Sequence, residues 1–111
     1  MSRVVIKKTN LSPARRRLVE LMRNLNYGRI EGLCIQNGEP VFSPPPTVLR
    51  LFLFGKDNGP NEFCSSDNFV LKKKMVELFE IFDRERSLLI KELVIDSGLP
   101  VRMSVAEEVR I

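Results

Sequence analysis

The chain has 111 residues, 43% of them apolar and 29% charged, with seven Phe, no Trp and no His. Those figures suit a single globular domain over 1–111, and they exclude both a disordered chain and a small scaffold that folds only around metals or disulfides. The formal charge of +4 is a local feature: residues 1–30 hold eight basic side chains against Glu20, for +7, whereas residues 31–111 hold ten basic and thirteen acidic, for −3.

In chain order, Val4, Val5 and Ile6 predict a short strand over 3–8. Asn10 or Ser12 can cap a helix with Pro13 at its first position, where a missing N–H costs nothing. Ala14, Leu18, Leu21, Met22 and Leu25 repeat at helical spacing, and Asn26 with Gly28 can end the helix in a left-handed turn. Ile30–Ile35 reads as a strand, Asn37-Gly38 as a hairpin turn, and Pro40–Phe42 as the short return strand. Pro44-Pro45-Pro46 cannot donate to a ladder and forms a stiff connector. Thr47–Phe54, apolar on nearly both faces, is expected to be the strongest strand. Residues 55–68 form a polar loop. Asp67 or Asn68 caps a second helix over Phe69–Asp83, with Leu71, Met75, Leu78, Phe79 and Phe82 on its apolar face. Leu88–Ile95 is a strand, Asp96-Ser97-Gly98 a turn, Pro100–Val105 the return strand, and Ala106–Ile111 a tail.

The order helix, strand, Gly turn, Pro-Val return strand occurs twice, approximately over 11–42 and 68–105. Leu18–Met22 aligns with Met75–Phe79 at an offset of 57. Leu33-Cys34-Ile35 with Leu93-Val94-Ile95, and Gly38–Val41 with Gly98–Val101, align at 60, so three extra residues are expected between helix and strand in the second half. In both first strands the apolar positions switch from even to odd numbers, a phase change that predicts bulges near Glu31-Gly32 and Lys91-Glu92. The expected fold is two-layer α+β: two helices on one face of a mostly antiparallel sheet, built from two αββ halves.

The chemistry is defined mainly by what is missing. Without His the commonest general base and the usual nitrogen ligand of zinc are gone. Cys34 and Cys64 stand thirty residues apart with no Cys-x-x-Cys pairing and are expected to be free thiols. No phosphate-binding glycine motif follows a strand, and Asp57-Asn58-Gly59 lacks the ligand spacing of a calcium loop. Glu20, Glu77, Glu80 and Asp83 read as solvated helix surface. No catalytic, cofactor or metal residue is assigned, and a non-enzymatic role is expected. The longest apolar run, Val48–Phe54, contains Arg50 and is far short of the ~20 residues that cross a bilayer. Neither a membrane span nor a signal peptide is expected, and the cytoplasm is the default location.

Two functional readings follow. The apolar excess on 48–54 and beside the second helix predicts a protein-interaction or assembly module, a homo-oligomer with Leu49, Leu51, Leu53, Val76 and Ile81 at its interface. The alternative is binding of nucleic acid, another polyanion or an acidic protein through Lys7, Lys8, Arg15, Arg16, Arg17, Arg23 and Arg29. Tyr27 is the one aromatic residue in that region, so no base-stacking platform accompanies those charges.

Overall fold

The computed structural model describes residues 11–56, 58–59 and 73–107. The expected strand over 3–8, Lys7, Lys8, Cys64, the caps Asp67 and Asn68, the first residues of the second predicted helix and the end of the tail lie outside them. The elements are α1 (Pro13–Leu25), β1 (Gly28–Glu31), β2 (Leu33–Gln36), β3 (Glu39–Val41), β4 (Thr47–Arg50), α2 (Lys73–Glu85), β5 (Leu88–Asp96) and β6 (Leu99–Ala106). The sheet order is β3-β2-β5-β1-β4, with β6 on the free side of β5, and every pairing is antiparallel.

This order reduces to four strand positions. β1 and β2 are one line of chain interrupted at Gly32, and both pair with the nine-residue β5. β3 and β4 form the outer position on one side and β6 the outer position on the other. The six residues Ile30, Leu33, Ile35, Ile90, Leu93 and Ile95 point to one side of the sheet, where they are buried against Leu18, Val19, Met22 and Leu25 of α1 and Met75, Leu78, Phe79 and Phe82 of α2. The result is a two-layer α+β fold whose core draws on both halves.

The halves match more closely than the sequence comparison indicates. α1 and α2 end 60 residues apart, not 57, and the buried Leu18, Val19 and Met22 of α1 correspond to Leu78, Phe79 and Phe82 of α2. A helix whose apolar residues recur every three or four positions matches itself almost as well when slid by three, so the sequence alone favours a false register. The three extra residues expected between the second helix and its strand are therefore absent. They belong to the first half's connector instead. Ile30 pairs with Val48 and Ile90 with Val105, so the offset has fallen to 57 by the outer strand. The added length accommodates Pro44-Pro45-Pro46. Its neighbour Phe42 lies beneath the Arg17 guanidinium, 4.9 Å from the ring centre.

The pairing of the two inner positions is itself symmetric: Ile30 with Leu93 and Leu33 with Ile90, Arg29 with Val94 and Cys34 with Leu89. Each pair becomes the other when the halves are exchanged, which places a pseudo-two-fold axis through the sheet at Glu31-Gly32 and Lys91-Glu92. The predicted phase changes occur there. The β5–β6 register shifts between Ile90 and Glu92, and the β1–β2 line breaks at Gly32, whose φ is +76°. Because both inner strands slip at one level, their mutual register is unchanged on either side.

The halves are interlocked at their helix ends. The N–H of Gly98, in the second hairpin turn, donates to the Asn26 carbonyl just past α1 at 2.9 Å. The N–H of Gly38, in the first, donates to the Arg86 carbonyl just past α2 at 2.8 Å. Asn26 and Arg86 both have positive φ, 60° and 66°, each at the centre of a three-residue turn that stops its helix: the Tyr27 N–H donates to the Leu25 carbonyl at 2.6 Å and the Ser87 N–H to the Glu85 carbonyl at 2.7 Å. α1 starts at Ser12, whose side chain accepts from the Arg15 N–H at 3.2 Å.

One expected strand is shorter and more exposed than predicted. Only Thr47–Arg50 is β structure, and all four residues are exposed. Its partner β1 begins at Gly28, opposite Arg50, so the ladder ends with the Leu51 N–H donating to the Tyr27 carbonyl at 2.9 Å. The chain then turns: the Asn58 side chain bonds both the N–H and the carbonyl of Leu53. The close approach of β4 requires a glycine at 28, where an added Cβ would stand 2.1 Å from the Leu49 oxygen.

The interlock is testable at Gly38. Its φ is +77°, and a Cβ there would meet Arg15, Arg86 and the Phe82 carbonyl at 3.3 Å. Gly38→Ala should therefore cost about 1–2 kcal/mol from the left-handed backbone, plus the crowding. Gly32→Ala, with similar φ in open space, should cost less. Urea denaturation midpoints measure both.

Candidate functional site

The helices cover one face of the sheet. On the other, directly paired residues present their side chains side by side. At one end the row runs Leu49, Arg29, Val94, Arg102 across all four strand positions. At the other it runs Val41, Cys34, Leu89, Ala106. Between them the face is polar: Arg29 reaches Glu31 at 3.1 Å and Glu92 at 3.6 Å.

Each row floors a shallow groove. The first, of about 330 Å³, has an apolar floor of Leu49, Leu51 and Val94, with Arg29, Arg50, Arg102 and Glu92 around it. Arg50, one residue out of step with Leu49 and Leu51, turns its side chain to the helix side, where it gives an N–H to the Asn24 carbonyl at the end of α1 at 3.3 Å. The second, of about 640 Å³, is built on Cys34, Leu89 and Ala106 and has Glu85 and Glu107 at its margin. Cys34 is a free, half-buried thiol. Leu51, Phe52 and Phe54, where the chain leaves β4, are 54%, 60% and 98% exposed.

The candidate basic residues do not share one surface. Arg15 is structural: its guanidinium donates to the Gly38 carbonyl, pairs with Asp83 and lies 5.3 Å from the centre of the Phe79 ring. Only 13% of its side chain is exposed. Arg16 is half-buried on α1, Arg17 lies over Phe42, and Arg23 pairs with Glu20 at 2.9 Å. Arg29 is on the opposite side of the molecule, on the open sheet face.

The candidate interface is divided as well. Leu49 and Leu51 are in the first groove, and Leu53 is half-buried at the turn beyond it. Ile81 lies in a cleft between α2 and β6 with Pro100 and Met103, and Val76 packs against the core. The structure thus brings Arg29 from one candidate set together with Leu49 and Leu51 from the other. It adds Arg50, Val94 and Arg102, which sequence reasoning missed. Arg102 was legible as the wet position of an alternating strand, but its row-mates depend on register across three pairings.

Among the described residues no helix is long and apolar enough to cross a membrane, and no three His, Cys, Asp or Glu side chains form a set that could hold a metal ion. No protein-family model, no curated protein and no solved structure matches the chain.

The role of Arg15 can be read from stability. Its counterpart in the second half is Met75, buried in the core. Arg15→Ala removes charge-assisted hydrogen bonds that contribute about 1.5–3 kcal/mol, and should lower the denaturation midpoint accordingly. Arg15→Met, which restores the apolar stem used at Met75, should lose less.

Proposed function

We propose that this chain is a non-enzymatic protein-interaction module that docks through the open face of its sheet, with a second copy of itself as the partner. The observation that carries the reading is the uncovered face. A wet face of an antiparallel sheet is normally lined by polar alternation, yet here Leu49, Leu51 and Leu89 stand between 38% and 54% exposed. They form floors at two ends of one surface, joined by Val94 and Cys34, and rimmed by charge. Apolar patches bordered by polar side chains, with Arg among them, are the composition of association surfaces.

The test is solution mass by light scattering after size exclusion, at low and high salt and with added nucleic acid. The expected species has twice the 12.8 kDa chain mass with or without nucleic acid. Leu51→Glu should convert it to monomer while changing chain stability by no more than about 0.5 kcal/mol, as exposed substitutions do. A wild-type monomer at all concentrations overturns self-association. A monomer that gains mass with nucleic acid at low salt and loses it at high salt assigns the arginines to phosphate instead.

A further inference from the structure

The two outer positions of the sheet are unequal. On one side β3 has three residues, with Pro40 in the middle, and β4 has four, preceded by Pro44-Pro45-Pro46. Short strands and prolines are the means by which natural sheets blunt an exposed edge. On the other side β6 has eight residues, and among the described residues it pairs with β5 alone. It has no proline after Pro100, and the register shift beside Ile95 leaves Val101 as the extra residue of a bulge. From Arg102 to Ala106 the backbone N–H and C=O groups that point away from β5 face no strand among the described residues. Another extended chain satisfies such a row group by group. The side chains along this edge differ by face. Arg102, Ser104 and Ala106 pair with Val94, Glu92 and Leu89 and share their open side of the sheet. Arg102 has no ion-pair partner among the described residues. Met103 and Val105 point to the helix side, where they touch the core but stay half-buried. Beside them a cleft of about 120 Å³ separates α2 from β6, with an apolar lining that includes Ile81, Val101 and Met103. Lys74 and Glu77, of opposite charge, border it.

We propose that the free edge of β6 is a second docking surface, which takes an extended segment of a partner protein as an added strand. The segment has apolar side chains on the helix side, against Ile81, Val101 and Met103, and acidic side chains on the open side, next to Arg102. Successive residues of a strand project to opposite faces, so one segment of alternating acidic and apolar residues meets both requirements. In this mode the backbone hydrogen bonds supply affinity, and the side-chain contacts on the two faces supply selection. The contrast with the other outer position supports the assignment, because the same fold carries prolines there and unbroken strand here. β6 is the outermost strand, so its edge stays reachable whether or not two copies are joined through their open faces. The proposal therefore does not depend on self-association.

The probe is a blocked synthetic peptide of alternating glutamate and valine, as long as β6, added to the full wild-type chain and to Leu51→Glu. Amide exchange followed by NMR should slow at the N–H groups of Arg102–Ala106 that point away from β5, equally in both proteins. Two further peptides carry N-methyl groups on all the valines or on all the glutamates, so that each blocks one edge of the added strand. One of the two should bind at least tenfold more weakly than the parent, since each lost backbone bond contributes about 1 kcal/mol. Arg102→Glu should bind the parent about threefold more weakly, as an exposed charge pair allows, and a lysine–valine counterpart about threefold more tightly. Equal binding by all three glutamate–valine peptides, which needs no protein variant, overturns the added strand. Arg102→Glu that binds both charge types as the wild type does overturns the acidic partner. The same N–H groups exchanging slowly in the free chain overturn the proposal, because the chain then covers its own edge. Exchange that slows with rising concentration of Leu51→Glu alone also overturns it, and assigns the edge to a second copy.

Discussion

The structure depends on a reciprocal constraint at the helix ends. A helix leaves its last carbonyls without partners, and here the carbonyl just past each helix is satisfied by a glycine N–H from the other half's hairpin. The geometry needs three things at once: a residue at positive φ to turn the chain out of the helix, a glycine hairpin of matching shape, and a sheet register that carries the hairpin to the opposite half. All three recur at an offset of 60, in Asn26 and Arg86, Gly38 and Gly98, and the inner-strand pairs. Each half caps part of its own helix end, through the Asn26 N–H to the Met22 carbonyl and the Arg86 N–H to the Phe82 carbonyl, both at 3.0 Å, and the other half completes it. The core is shared for the same reason: Leu18 and Met22 of one half pack with Phe79 and Phe82 of the other on a sheet whose two inner positions come from different halves.

On this symmetric frame the side chains are not symmetric, and the differences are concentrated where the molecule is exposed. The core keeps its equivalents, with Leu18, Val19 and Met22 matching Leu78, Phe79 and Phe82. At the periphery Arg29 stands where the second half has Leu89, Arg50 where it has Glu107, and a proline connector where it has unbroken strand. Packing constrains volume and polarity in the interior, while a solvent-facing position can change charge at little cost to the fold. A duplicated scaffold is thereby free to present different chemistry at its two ends. The open face, where Arg29 of one half is the equivalent of Leu89 of the other, is the clearest result of that freedom.

Much of this was legible from residues. The 3.6-residue spacing located α1 within a residue of its observed span, and Asn37-Gly38 and Asp96-Ser97-Gly98 located both hairpins. The even-to-odd switch around Glu31 and Lys91 located the irregularities, because side-chain alternation in a strand has no tolerance for an unmarked extra residue. Two expectations failed for identifiable reasons. The helix offset was misread because an amphipathic helix is nearly self-similar under a three-residue slide. The run Thr47–Phe54 was overvalued because β propensity measures how a side chain suits a pleated surface, not whether a partner strand is present. Here the partner ends at Gly28.

The sequence by itself determined the local structure: where helices start and stop, which glycines turn the chain, which side chains belong to an apolar face, and that the pattern occurs twice. These are set by interactions among residues a few positions apart. Only the tertiary structure decided that Arg15 binds a turn and a distant carboxylate, that Arg29 leaves the other N-terminal arginines for the far side of the sheet, and that Leu49 shares a row with Val94 and Arg102. Such neighbours come from strand order and register, which no short stretch of residues encodes. The surface on which a partner would dock therefore became visible only once the four strand positions had been assembled.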